Sequence, residues 1–119
     1  MNHKEVEEYL LGIPNSALTY PFGEGVAVYK TGEGEKAKMF ALIPEKSEPV
    51  RISLKCDPKL AEVLREKYES VMPGYHLSKK HWNTIVLSGQ LDWEEVQALI
   101  QHSYQLVTKT GDDEIPAIG

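Results

Sequence analysis

Around residue 56 the chain changes its hydrophobic period. In "VRISLK", residues 50 to 55, Ile52 and Leu54 point one way while Arg51, Ser53 and Lys55 point the other, the alternation of a strand with one buried face and a wet, cationic one. Asp57 and Pro58 then open a stripe of Leu60, Ala61, Leu64 and Tyr68, with Val63 beside it, at helical spacing. The aspartate can cap free amides, and a proline in the first helical turn loses no hydrogen bond. A strand that hands over to a helix this quickly commits the domain to a mixed architecture.

The flanking segments agree. Asn2 precedes Glu5 by three residues, Val6, Tyr9 and Leu10 share one stripe, and Gly12 offers a stop, which predicts a short first helix. A loop punctuated by Pro14, Pro21, Gly23 and Gly25 follows. "VAVYK" and "KMFALI", joined by "TGEGEKA", read as a hairpin. Met72, Pro73 and Gly74 end the second helix, and "TIVLS" continues as a strand up to Gly89. The clearest helix is "LDWEEVQALIQHSYQLV", with Asp92 paired to Glu95 as a cap and Trp93, Val96, Leu99, Ile100, Tyr104 and Val107 in helical register.

This order predicts a single α+β domain over residues 1–108, an antiparallel sheet of four or five strands packed with about three helices. The acidic, aperiodic residues 109–119 read as a frayed tail.

Composition narrows the function classes. In 119 residues, 41% are apolar and 26% charged, enough for one real core without disulfides or metal. Cys56 is the sole cysteine, which excludes an internal disulfide and suits a reducing compartment. No apolar run reaches the roughly 18 to 20 residues of a membrane span, and the N-terminus lacks a signal peptide's features. A cytoplasmic protein without membrane contact is expected.

The net charge is -5, which opposes wholesale attraction to a polyanion. Its distribution is uneven, since residues 51 to 82 hold seven cations against four anions.

Chemistry at specific residues is sparse. His76 and His81 are five apart, while His3 and His102 are remote. No pair has a zinc-ligand spacing, so no metal and no cofactor are expected. Cys56 precedes a helix start, where a thiol can be activated, but a lone cysteine there is ordinarily a small hydrophobe. The expected protein is not an enzyme, with activity based on Cys56 or a metal as the alternative. "TGEGEK" lacks the spacing of a phosphate-binding loop.

"HLSKKHWNT", residues 76 to 84, is richer. Lys79 and Lys80 can neutralise phosphates, Ser78, Asn83 and Thr84 can donate to phosphates or base edges, and His76 and His81 are further polar donors. The same residues also suit a plain turn, with Trp82 as a core anchor and solvated lysines.

The stretch from Ser53 to Gly89 carries Ser53, Leu54 and Lys55, then Pro58, Ala61, Leu64 and Arg65, then Pro73, His76, Leu77, Lys79, His81 and Trp82. Together with Pro21, Phe22 and Gly23, and Lys38, Met39 and Phe40, this pattern resembles the MmcQ/YjbR-like family over roughly residues 1 to 108. The resemblance implies a fold similar to the frataxin (CyaY) arrangement and DNA binding through exposed β-hairpins, a double-wing motif.

The combined expectation is a non-enzymatic DNA-binding domain that contacts the phosphate backbone through Lys55, His76, Lys79, Lys80, His81, Asn83 and Thr84, with Pro73 and Trp82 structural. The alternative is a protein-interaction or small-ligand module with a pocket near His76, His81 and Trp82.

Overall fold

The capping chemistry marks the helix starts. In the computed structural model, which describes residues 1–74 and 77–108, Asn2 accepts from the Glu5 amide at 2.9 Å and starts α1 (His3–Leu11). Asp57 accepts from the Lys59 and Leu60 amides and starts α2 (Pro58–Lys67). Asp92 and Glu95 exchange hydrogen bonds ahead of α3 (Trp93–Thr108), each as its residue type favours.

Six strands form one antiparallel sheet: β1 (Ser16–Thr19), β2 (Val26–Thr31), β3 (Lys38–Pro44), β4 (Arg51–Lys55), β5 (Val71–Pro73) and β6 (Trp82–Val86). Their spatial order is β1-β2-β3-β4-β6-β5. The side chains alternate between two faces. Ile43, Ile52, Leu54 and Ile85 share the main core with Val6 and Leu10 of α1, Ala61 and Leu64 of α2, and Val96 and Ile100 of α3. A second, smaller cluster contains Val28, Leu42 and Trp82, with Val26, Met39 and Leu77 packed against it, and no helical residue. The helices therefore cover one face of the sheet and leave the other open.

α3 is locked by polar contacts as well. Ser103 Oγ donates to the Phe40 carbonyl at 2.6 Å and accepts from the Lys55 amide at 3.0 Å. His102 Nε2 accepts from the Asp57 amide at 3.1 Å, joining α3 to the cap of α2. No described helix is long and apolar enough to cross a membrane.

The α+β architecture with three helices is as expected, but the sheet has six strands against an expected four or five, with β1 and β5 unsignalled. β1 lies inside the segment expected as loop, where Asn15 turns the chain with a φ of 61° and an edge strand of four residues follows. Short edges limit unwanted pairing. α2 stops at Lys67 because Tyr68 is extended, so Met72 and Pro73 belong to β5 rather than to a helix end. Val63 is 55% exposed instead of lying beside the buried stripe. Ser53 is buried rather than wet, bonded to Thr84 across the strand pair at 2.8 Å. The tail at 109–119 lies outside the described residues.

Candidate functional site

Antiparallel pairing gathers strand ends. The end of β2, the start of β3, the ends of β4 and β5 and the start of β6 all lie along one edge of the sheet, as the pairings of Thr31 with Lys38, Lys55 with Trp82 and Pro73 with Asn83 require. Lys30, Lys36, Lys38, Lys55, Lys79 and Lys80 fall there, against Glu33, Glu35 and Asp57. At the opposite edge stand Glu24, Glu45, Glu48, Glu69 and Asp92, against Lys46 and Arg51. The fold thus separates the charge of an acidic chain into a basic end and an acidic end.

The basic end carries a turn held from several sides. The backbone of Trp82 donates to the Ser78 carbonyl at 3.0 Å, His81 donates to the same carbonyl at 3.2 Å, and the Cys56 amide donates to the His81 carbonyl at 2.8 Å. Arg65 reaches over from α2, donating through Nε to Asn83 Oδ1 at 2.6 Å and through its terminal nitrogen to the Lys79 and Trp82 carbonyls. Gly74 closes the other side, where an added Cβ would lie 2.7 Å from the Trp82 Cβ. Only glycine permits that approach. A turn fixed this way presents Ser78, Lys79, Lys80 and His81 to solvent, and among the described residues neither lysine has an ion pair.

The residues expected at a nucleic-acid surface divide accordingly. Lys79, Lys80 and His81 are exposed together, and Lys55 is half-buried at the adjacent strand end. Asn83 and Thr84 are not at that surface: they are 2% and 5% exposed. Asn83 spends its amide on Arg65 and on the Ala61 carbonyl at 3.3 Å, while Thr84 pairs with Ser53. The central place of β6 explains the correction: it lies between β4 and β5 and is buried on both faces from Trp82 to Ile85. Pro73 lies in β5, and Trp82 packs on Val28 and Leu42. His76 lies outside the described residues. Arg65 is the residue whose contribution the sequence reading missed. Its signal was its place in the last turn of α2, a long cationic side chain within reach of the neighbouring turn.

Cys56 is buried, and burial pushes its thiol up to about 12, far from the thiolate a nucleophile requires. His102 is buried too, its pKa lowered by desolvation against an opposing pull from Asp57. Among the described residues, no three His, Cys, Asp or Glu side chains are close enough to hold a metal.

The open face bears a groove of about 510 Å³. Its floor is a row of cross-strand neighbours, Leu42, Ser53, Thr84 and Met72. Phe22, 64% exposed, and Leu77 stand at its sides. Of the residues around which a pocket was expected, His81 and Trp82 are not among its described lining residues and His76 lies outside the described residues.

A family model described as YjbR matches residues 11–106. The chain is 40% identical over 67 residues to the uncharacterized protein YjbR of Escherichia coli (strain K12), a match that covers 56% of this chain and 57% of that protein. It is 32% identical over 105 residues to the uncharacterized protein YbdF of Escherichia coli O157:H7, covering 88% of this chain and 83% of that one. The chain thus spans less than two thirds of the length of the first relative and more than two thirds of the second. Among solved structures, the Deinococcus radiodurans protein DR2400, with domain DUF419, superposes with a TM-score of 0.85 at 39% identity, over 93% of this chain and 81% of that one. A crystal structure from Pseudomonas syringae gives 0.76 at 29% identity, over 90% and 99%.

Proposed function

We propose that this chain, which belongs to the YjbR family, binds duplex DNA through the phosphate backbone at the basic end of its sheet, without chemistry and without sequence readout. The observation that carries the reading is the paired exposure of Lys79 and Lys80 on a turn held by Arg65. Ordered cations lose less freedom on meeting a phosphate than cations on a loose loop.

The sheet order adds a second contact region. The turn between β2 and β3 and the turn between β5 and β6 lie three strand spacings apart, about 14 Å at roughly 4.8 Å per strand. That is close to the roughly 12 Å width of the major groove, so two turns can meet phosphates on either side of one groove. Lys55, at the end of the strand between them, faces the middle of such a contact.

Burial of Asn83 and Thr84 removes two groups that could have read base edges, and the paired lysines of the turn position rather than specify. The acidic remainder of the chain favours one orientation on the polyanion and weakens every other. Titration of the protein with duplexes of unrelated sequence at low salt tests this. Comparable affinity for all of them is expected, and failure to bind any of them at roughly 50 mM salt contradicts the reading.

A further inference from the structure

We infer that the groove on the open face of the sheet is a binding site for a small monocarboxylate with an apolar body. This goes beyond backbone binding at the basic end and rests on different residues.

The groove's volume of about 510 Å³ lies within the range of roughly 300 to 1,000 Å³ typical of small-molecule sites. Its lining is largely apolar, with Leu42 and Met72 in the floor and Phe22 and Leu77 at the sides. Exposed apolar surface gathered in one concavity is what a ligand's hydrocarbon portion needs, and an isolated protein gains nothing by displaying it. Among the described residues, Arg51 is the one ionised side chain in the lining. Among the described residues its guanidinium has neither an ion pair nor a hydrogen bond.

That arrangement selects a head group. A guanidinium matches a carboxylate with two parallel hydrogen bonds. A phosphate dianion would ask for more positive charge than one arginine supplies, and Glu24, Glu45 and Glu48 at the same end of the sheet oppose a second negative charge. The Ser53 hydroxyl, 2.8 Å from that of Thr84 on the floor, adds a polar point that can meet a carbonyl or hydroxyl on the ligand. The occupant is therefore an aliphatic or aromatic acid laid across the strands, with its carboxylate at Arg51.

The test uses decanoate, decanol and decylamine, below their aggregation concentrations, added to the isotopically labelled protein while amide and methyl signals are followed. Decanoate is expected to bind saturably and shift Leu42, Ser53, Met72 and Thr84, with affinity about tenfold above decanol, and decylamine weaker still, as one charge-assisted pair implies. Arg51→Gln, at an exposed position, should lose that tenfold for decanoate and leave decanol within about twofold. The Lys79→Ala, Lys80→Ala variant should bind decanoate as the parent does, so that failure of the DNA reading leaves this result intact. Equal affinity for all three compounds, shifts confined to other residues, or diffusion measurements placing a second copy over the groove would each overturn the assignment.

Discussion

Arg65 Nε on α2 lies 2.6 Å from Asn83 Oδ1 on β6, and the other face of the same amide donates to the Ala61 carbonyl one helical turn earlier. One buried asparagine thus couples a helix, a strand and, through Arg65, the turn that carries Lys79 and Lys80.

Removing that amide should cost stability. Asn83→Ala leaves the Ala61 carbonyl without its donor and the Arg65 Nε without its acceptor, a loss of about 1–3 kcal/mol. Chemical denaturation of the parent and the variant measures it, and a difference near zero would mean that the hydrogen bonds are idle.

Arg65→Gln separates order from charge. The turn loses its clamp but keeps both lysines, so affinity for duplex DNA should fall while the salt dependence per contact stays that of the parent. A reduced salt slope would make Arg65 itself a phosphate contact.

The turn between β2 and β3 carries Glu33 and Glu35, both exposed, among Lys30, Lys36 and Lys38. If this turn approaches phosphate, Glu33→Gln with Glu35→Gln should tighten binding at low salt, with the gain fading as salt screens the repulsion. Unchanged affinity would place the turn away from the DNA.

His102 makes the fold sensitive to acid. Desolvation holds its pKa below the ordinary value of about 6.5, so in that window the unfolded chain binds more protons than the folded one. Stability must then fall as pH drops through about 6.5, because protonation would also remove the acceptor for the Asp57 amide. His102→Gln, which keeps an acceptor, should flatten this part of the profile in denaturation curves taken between pH 7.5 and 5.5. An unchanged profile would assign the effect elsewhere.

These placements show how far the sequence could be read. The helices were legible because Asn2, Asp57 and Asp92 signal their starts chemically and their apolar stripes repeat over several turns. β1 and β5 were not, because three or four residues give no measurable alternation and their pairing is decided by neighbours distant in sequence. Lys79, Lys80 and His81 could be read as a polar turn, and they are exposed. Asn83 and Thr84 looked equally polar, but which residues of β6 are buried depends on β4 and β5 flanking it. The groove was invisible for the same reason: Leu42, Ser53, Thr84 and Met72 become neighbours only through the register of four strands.

The salt dependence of duplex binding, compared between the parent, the Lys79→Ala, Lys80→Ala variant and a Lys46→Ala control at the acidic end, tests the account most directly. The double variant is expected to lose affinity and about two units of slope in log affinity against log salt, roughly one per phosphate contact, while the control keeps the parent's slope. Equal slopes for the parent and the double variant would contradict it.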